Sequence, residues 1–460
     1  MKKGIKFAVA LVASKCARIA LKMLRKNATH FPGAVALKIC PDFISKVNKP
    51  EKIIGVIGTN GKTTVANLIS DILEFSGKKV LSNRSGGNIR EGICTALICG
   101  VNLFGKSKYD IAVLEMDERS SRFTLPFVKP DYLVCTNLFR DSFKRNAHSE
   151  FISGIISDSI PEGTTLICNA DDMISSRLSP ENPRKFFSVA PCENERQIRD
   201  NIVCDMVVCP KCNSRLVYDF QRYNHIGKLH CDNCDFASPN ADYVALDATA
   251  DTTHLKIAFA DREVKIKRLG KNIIDVYNSL TAFTALCEFG IDADTLVEAF
   301  EKMEIVKTRY NETTVKDKKI VLNLAKGQNP IACSRTFDFI RQNTEDMSVV
   351  LLIDDFFDAA HSSENIAWIY DADFEFLNAE NIKQIVIGGA RCEDYRVRLL
   401  LAGVDNEKIC TIKDENQAAE YIDYSSVEKV FILYDVYTIH LANSTKKRLV
   451  QRIEEGNIND

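Results

Sequence analysis

The sequence predicts an α/β fold: a parallel sheet covered by helices on both faces, interrupted by a small cysteine-rich module and followed by a second α/β domain. Three observations carry this. Apolar runs alternate with helix-spaced segments between residues 50 and 140. Two Cys-x-x-Cys pairs stand between residues 200 and 240, where that alternation stops. Four more apolar runs alternate with helical stretches after about residue 315. Strands alternating with helices build parallel sheets with helices on both sides. A chain of 460 residues suits two to four domains. The expected divisions are a helical segment over 1–48, a central domain over 49–312 that holds an insertion at 203–240, and a C-terminal domain over 313–460. A formal net charge of -2 without a long single-sign run gives no electrostatic argument for nucleic acid.

In chain order, "MKKGIKFAVALVASKCARIALKML" comes first, with Lys2, Lys3 and Lys6 ahead of a short apolar stretch, the outline of a weak export signal. Lys15, Arg18, Lys22 and Arg25 interrupt the residues beyond that stretch, so no run reaches membrane-spanning length. Ile5, Val9, Val12, Cys16, Ile19 and Met23 recur at helical spacing. This predicts an amphipathic helix that packs the stripe onto its own protein, with peripheral membrane contact as the lesser alternative. "KIIGVIG" reads as a buried strand, "TTVANLISDILEFSG" as a helix ending at a glycine, "KKVLSN" as a strand and "IREGICTALICG" as a helix. "YDIAVLEMDE" and "PDYLVCTNL" are further strands. After the cysteine-rich module come strand-like "HLKIAFADREVKIKRLG" and the helix "IIDVYNSLTAFTALCEFG". The last region offers strands "KIVLNLA", "SVVLLID", "IKQIVIGG" and "KVFILYD". Gly58, Glu115 and Asn137 each fall at a strand's C-terminal end, where ligands of such sheets collect, so three distant segments are expected to converge.

"GTNGKTTV", residues 58 to 65, sits between a strand and a helix, as a phosphate-binding loop does. Backbone N–H groups and the partial positive charge of a helix N-terminus favour an anion there. The usual pattern places a glycine five residues before the Gly-Lys pair. Here Val56 holds that position and the glycine comes two residues later, at Gly58. Gly58 and Gly61 permit a tight turn. The expected nucleotide-contacting set is Gly58, Thr59, Asn60, Gly61, Lys62, Thr63 and Thr64, with Lys62 reaching the β- and γ-phosphates of ATP and Thr63 ligating Mg²⁺. The plainer alternative is an ordinary strand-to-helix turn.

Sixteen cysteines are present. Most, such as Cys94, Cys99 and Cys287, lie in apolar surroundings, as buried thiols of a reducing compartment do. Cys209, Cys212, Cys231 and Cys234 differ. "CPKC" and "CDNC" are separated by eighteen residues, the spacing of a zinc ribbon. Four thiolates close a tetrahedral shell and leave no open position, so the Zn²⁺ is expected to be structural. His225 and His230 could each substitute for a cysteine as ligand, but are placed rather on the ribbon's strands. Redox-active dithiols would need a strand before and a helix after each pair, which the sequence does not suggest.

The phosphate loop with its displaced glycine has the form found in the Mur ligase superfamily, which includes the folylpolyglutamate synthases. "VLEMDE" resembles that group's strand-end glutamate, which makes Glu115 the implied Mg²⁺-binding carboxylate. A hard cation beside ATP takes oxygen ligands. "DVYNSLTA" and "TRYNET" resemble the segments that bring an asparagine, here Asn278, near the adenine and an arginine, here Arg309, near the nucleotide. In isolation these three residues read as a solvated strand end, a helix cap and a surface charge. The order and spacing of "FPGAVALKICPD", "SNRSGGNIREGI", "TNLFRD", "CNADD", the ribbon, "WIYDADFE" and "GGARCEDYRVRLLLAGV" are similar to the MurT subunits of lipid II isoglutaminyl synthase over nearly the whole chain. The resemblance implies a cytoplasmic ligase subunit, at the inner face of the membrane. ATP would phosphorylate the α-carboxylate of D-glutamate in lipid II, and ammonia from a GatD-like glutamine amidotransferase partner would open the acyl phosphate to D-isoglutamine. No glutaminase signature is visible in this chain, so ammonia is expected from another polypeptide.

The sequence also departs from that pattern. Ser142 follows Asp141 where the superfamily often places a histidine and MurT-like chains a glutamine. No lysine obviously matches the carbamoylated lysine of Mur ligases. Asn365, preceded by Glu364, holds the position three residues before Trp368 where the family carries an aspartate that completes the partner's catalytic site. Asp354, Asp355 and Asp358 are nearby acids, and Lys326 lies beside Asn329 and Pro330. The catalytic candidates are therefore Asp355, Glu364 and Asn365, against the plain reading of a solvated acidic loop. Two rival functions stay open on the sequence: a stand-alone ligase acting on another carboxylate, and a scaffold that binds ATP and a partner without chemistry.

Overall fold

The computed structural model describes residues 4–85, 87–140, 148–192, 200–249, 252–270, 272–303, 310–325, 327–353, 366–435 and 437–456. They divide into two compact units. One lies within Met1–Arg140, His148–Asp200 and Cys204–Ile305, the other within Asn201–Val203 and Val306–Asp460.

The first unit opens with helices α1 (Ile5–Met23), α2 (Phe31–Ile39) and α3 (Phe43–Lys46). Strand and helix then alternate: β1 (Lys52–Ile57), α4 (Lys62–Phe75), β2 (Val80–Ser82), α5 (Arg90–Gly100), β3 (Ile111–Glu115), α6 (Ser121–Val128), β4 (Tyr132–Cys135), α7 (Ser149–Ser157), β5 (Thr165–Asn169) and β6 (Arg184–Val189). The hairpin β7 (Val217–Tyr223) and β8 (Ile226–His230) comes next, then β9 (Tyr243–Ala245), β10 (His254–Phe259), β11 (Arg262–Lys267), α8 (Ile273–Phe289) and α9 (Ala293–Lys302). Nine strands form one sheet in the order β11-β10-β9-β6-β5-β4-β1-β3-β2. It is parallel from β2 to β9, and β10 and β11 add an antiparallel edge. β1 carries a continuous apolar run because both its faces are covered. α4 buries Val65, Leu68, Ile69, Ile72 and Leu73, a single stripe. α8 is apolar nearly all round and correspondingly buried. It starts at Asn272, whose side chain accepts from the Asp275 amide at 2.9 Å, and ends at Gly290 in the left-handed region.

α1 corrects an expectation. Its buried residues are Phe7, Ala10, Leu11 and Ser14, while Ile5, Val9, Val12, Cys16, Ile19 and Met23 face outward. The predicted period is present, but the helix carries a second, inner stripe half a turn away. Phe7 stacks on Phe43 with ring centroids 4.9 Å apart. Lys15 fixes the rotation: its Nζ donates to the carbonyls of Ile98 (3.1 Å) and Val101 (2.6 Å) at the C-terminal end of α5, where a cation satisfies orphan acceptors.

The second unit comprises β12 (Tyr310–Val315), β13 (Lys318–Leu324), α10 (Pro330–Arg341), β14 (Met347–Leu352), β15 (Ile382–Gly388), α11 (Cys392–Leu401), β16 (Ile409–Ile412), β17 (Lys429–Tyr434) and α12 (Ile439–Glu455). Its six-stranded sheet runs β12-β13-β17-β14-β15-β16 and is parallel except for β12. Trp368 and Phe374 pack against Tyr395 in its core. Asn329 caps α10 by accepting from the Ala332 amide at 2.9 Å, with Pro330 at the first helical position. Residues Asn201–Val203 belong to this unit. There, Asn201 Nδ2 and the Ile202 amide each donate to the buried Asp373 carboxylate at 2.7 Å.

Candidate functional site

β1 lies between β3 and β4 in the first sheet, which is why Gly58, Glu115 and Asn137 come together. The Thr59 amide donates to the Asn137 carbonyl (2.8 Å) and the Asn60 amide to Asn137 Oδ1 (3.0 Å). Thr136 Oγ1 donates to the Asn60 carbonyl at 2.6 Å. Both loop glycines are in the left-handed region, Gly58 at φ 130° and Gly61 at φ 87°. A Cβ on Gly58 would lie 2.1 Å from Thr136 Oγ1, and one on Gly61 would lie 2.3 Å from Asn278 Oδ1. The two glycines therefore let the loop form a tight cradle directly on the Thr136 and Asn278 side chains and the Asn137 backbone, with α4 starting at its rim. Asn278, inside α8 and buried, touches the loop at Gly61, whereas the capping residue of that helix is Asn272.

Lys62 occupies the first position of α4. Its Nζ donates to the Gly58 carbonyl (2.5 Å) and to Glu118 Oε1 (2.6 Å). Burial alone would push this ammonium's pKa down. Glu118 in contact, with Glu115 and Asp117 behind it, outweighs burial and raises the pKa. The carboxylate facing the loop lysine is thus Glu118. Glu115, the residue singled out from sequence, accepts from Asn88 Nδ2 at 3.0 Å and belongs to the end of β3. An Asx turn produces the difference: Asp117 Oδ1 accepts from the Arg119 and Ser120 amides (3.1 and 2.9 Å) and carries the chain back toward β1. The motif "DERS" held that signal. Thr63 is exposed and Thr64 half-buried in the first turn of α4.

These residues suit a nucleotide triphosphate and its cation. The loop turns through two left-handed glycines, a helix starts at its rim, and Lys62 stands at the first position of that helix. The Thr63 hydroxyl and the carboxylates Glu118 and Glu115 are oxygen donors of the kind a hard cation such as Mg²⁺ takes.

The four knuckle thiols converge. Cys209 Sγ lies 3.5 Å from Cys234 Sγ and Cys212 Sγ 3.4 Å from Cys231 Sγ, and all four lie within 4.8 Å of one another. A tetrahedral Zn–S₄ shell at about 2.3 Å has S···S edges of about 3.8 Å, so the set fits Zn²⁺. The knuckles are built by the Cys209 amide donating to Ser214 (2.7 Å) and the Cys231 amide to Phe236 (2.8 Å). Ser214, through its hydroxyl and amide, holds the Cys212 thiol down at about 6, while the neighbouring thiols push Cys231 and Cys234 up, so Cys212 is the first of the set to form a thiolate. Neither histidine joins the cluster. His230 ends β8 and pairs with Asp219 at 2.9 Å. His225 lies in the turn between β7 and β8 rather than on a strand.

That turn docks the ribbon onto the sheet. His225 Nε2 is 3.2 Å from Asp172 Oδ1, both fully buried just beyond the end of β5. Burial would raise the Asp172 carboxyl's pKa, but His225 and the amide of Leu138 outweigh it and lower the pKa. The His225 ring also packs on Phe139 at 4.6 Å, and the Phe139 amide donates to Thr59 Oγ1 at 2.9 Å. Neighbouring Asp171 accepts from the Tyr277 hydroxyl (2.6 Å) and Ser188 (2.7 Å). In the sequence both carboxylates appear only within "CNADD", one of the segments that carry the family resemblance, with no partner indicated. Arg309, Asp355, Glu364 and Asn365, with Asp141, Ser142, Lys326, Asp354 and Asp358, lie outside the described residues.

Comparison with known proteins agrees with this architecture. The Mur ligase middle-domain family matches residues 56–207 and the MurT ligase C-terminal family residues 326–439. The lipid II isoglutaminyl synthase (glutamine-hydrolyzing) subunit MurT of Staphylococcus aureus (strain COL) is 31% identical over 417 residues, 90% of this chain and 92% of the relative. The Streptococcus pneumoniae (strain ATCC BAA-255 / R6) subunit of the same name is 29% identical over 94% of each chain. Among solved structures, a pseudomurein peptide ligase type C from Methanothermus fervidus matches with a TM-score of 0.66 at 20% identity, covering 90% of this chain and 81% of its own. The MurF ligase of Thermotoga maritima in complex with ADP matches at 0.59 and 13%, covering 92% and 85%. At those identities the structures speak for the fold. The match along both chains to the MurT subunits, on a Mur-type phosphate loop, means that this chain belongs to the MurT family.

Proposed function

We propose that this chain is the synthetase subunit of an ATP-dependent amidoligase that converts the D-glutamate α-carboxylate of lipid II to D-isoglutamine. The observation that carries this reading is the end-to-end similarity to subunits named for lipid II isoglutaminyl synthase. The cradled loop with its Lys62–Glu118 pair is compatible with the phosphoryl chemistry. In the proposed reaction, the γ-phosphoryl group of ATP passes to the carboxylate, giving ADP and an acyl phosphate. Ammonia then attacks the acyl carbon, and phosphate leaves as the amide forms. Lys62 and the backbone amides in the first turn of α4 would bind and orient the phosphates. Thr63, Glu118 and Glu115 would hold Mg²⁺, which supplies charge neutralisation on the transferring group. Asn278 would position the loop through its contact at Gly61, and Arg309 would approach the nucleotide. The Cys209, Cys212, Cys231 and Cys234 site would hold Zn²⁺ as a structural element.

The ammonia source is proposed to be a GatD-like glutamine amidotransferase, with Asp355, Glu364 or Asn365 contributing to activation of that partner. Among the described residues no helix is long and apolar enough to cross a membrane. Lipid II would be met at the inner membrane surface. The test is amidation of lipid II by the purified chain, driven by ammonia alone and by glutamine with the partner present. Product in both arms supports the reading, and no ATP-dependent product in either removes it. Asp355→Asn and Glu364→Gln should lower the glutamine-driven rate and spare the ammonia-driven one. Equal loss of both would move these acids into the synthetase site.

A further inference from the structure

Among the described residues, the outward face of α1 is open to solvent. Ile5 is 85% exposed, Ile19 59% and Met23 81%, with Val9, Val12 and Cys16 exposed between them. At about 100° per residue these six lie within about 40° of one line along the helix. Phe7, Ala10, Leu11 and Ser14 occupy the opposite side, packed inward. A five-turn apolar stripe on the solvent side of a helix whose other side already serves the core marks an interaction surface.

A second apolar projection stands beside it. Between α5 and β3, Val101 and Ser107 pair as an antiparallel bridge. The turn is tied by the Asn102 amide donating to the Lys106 carbonyl (2.9 Å) and by Asn102 Oδ1 accepting from the Phe104 and Lys106 amides (2.9 and 3.0 Å). This braced tip holds out Leu103 and Phe104, the latter 93% exposed. Lys15 of α1 bonds to the carbonyl of Val101, so helix and tip are joined at the base of the turn. Both lie in the first unit.

The charge of the segment that carries α1 has one sign. Residues 1–41 contain nine Lys and Arg and no Asp or Glu. Lys6 lies on one flank of the stripe and Lys22 on the other, and Lys106 and Lys108 come just after the apolar tip. An apolar stripe with basic flanks, together with a projecting aromatic tip, is complementary to an anionic bilayer: acyl chains accept the apolar groups and headgroups the cations. We propose that α1 and the Leu103–Phe104 tip form a peripheral docking surface for anionic phospholipid. This stands apart from the amidation reading, because it needs neither nucleotide nor peptidoglycan precursor.

The test is co-sedimentation of the full chain with vesicles of phosphatidylcholine, with and without phosphatidylglycerol. Binding is expected to the mixed vesicles and to weaken as salt rises. Lys6→Gln with Lys22→Gln should reduce partitioning by roughly 25-fold, about fivefold for each charge. Ile19→Asp and Phe104→Ser should each abolish most of it. Both side chains are mostly in solvent, so hydrogen exchange of the β1 and α4 amides should stay as in the parent. Absence of binding to the mixed vesicles overturns the proposal, as does binding that survives both apolar substitutions. A dimer in light scattering that Ile19→Asp disperses, without vesicle binding, would assign the face to a second copy and equally overturn it.

Discussion

Lys62→Met removes the cation opposite Glu118 and asks whether that pair shapes the loop before any nucleotide arrives. The two side chains are 13% and 10% exposed, with Nζ and Oε1 2.6 Å apart. A pair so enclosed differs from a surface ion pair, which contributes about 0–1 kcal/mol. Removing one member of a buried pair costs about 3–5 kcal/mol, because the remaining charge stays in a poorly solvated place. Slight exposure on both sides puts Lys62→Met near the lower end, at about 3 kcal/mol. Glu118→Gln should cost about 2 kcal/mol, since Lys62 keeps the Gly58 carbonyl and the neighbouring Glu115 and Asp117 charges. The double variant leaves no orphaned charge and should cost about 3 kcal/mol, so the coupling energy is about 2 kcal/mol. With two compact units, a single global unfolding energy is poorly defined. Hydrogen exchange of the β1 and α4 amides reads the local opening energy instead. A coupling below about 0.5 kcal/mol would refute the argument that this pair organises the loop. In the functional arm, ATP turnover by Lys62→Met should fall by at least about 100-fold; retained turnover would take the loop out of the chemistry.

Three further outcomes are expected. Metal analysis should find one Zn²⁺ per chain, with Cys209→Ser losing it and exposing the β7–β8 hairpin amides to exchange; full metal content in that variant would rule out the four-thiol site. Gly58→Ala should destabilise the loop by about 2–4 kcal/mol, from a side chain forced into the left-handed region and a displaced Thr136 hydroxyl, and a loss under about 1 kcal/mol would contradict the cradle geometry. Asp172 has its carboxyl held below the ordinary value of 3.8, so its ionised form stabilises the fold above that pH, and the contribution is lost as pH falls beneath it. Asp172→Asn should therefore flatten the acid limb of the first unit's stability profile, and an unchanged limb would contradict the assignment.

The strand–loop–helix at Gly58 and the double knuckle were legible because each is local: a few adjacent residues determine the turn, and fixed spacing determines the ligand set. Four of the long parallel strands were equally readable, since burial on both faces leaves unbroken apolar runs such as "KIIGVI" and "KVFILY". Anything set by a distant neighbour escaped. Glu118 and Glu115 are three residues apart, and only the Asp117 turn decides which one meets Lys62. The inner face of α1 is chosen by Phe43 and by the end of α5, not by the stronger of its two apolar stripes. Asp172 finds His225 across 53 positions, a distance at which a single sequence carries no pairing signal.

The tie between Asp373 and residues 201 and 202 bears on how the protein can be cut. Its carboxylate is fully buried, and burial raises its pKa in spite of the donated bonds. A fragment beginning at residue 313, the natural choice from sequence, would discard both donors and leave that oxygen pair with Ser334 and the nearby charge of Arg335 among the described residues. Such a piece should express poorly or melt early, and Asp373→Asn should rescue it more than it helps the intact chain. The working boundary of the C-terminal half is thus not one point on the chain but two: a cut site near 313 and a three-residue segment more than a hundred positions upstream.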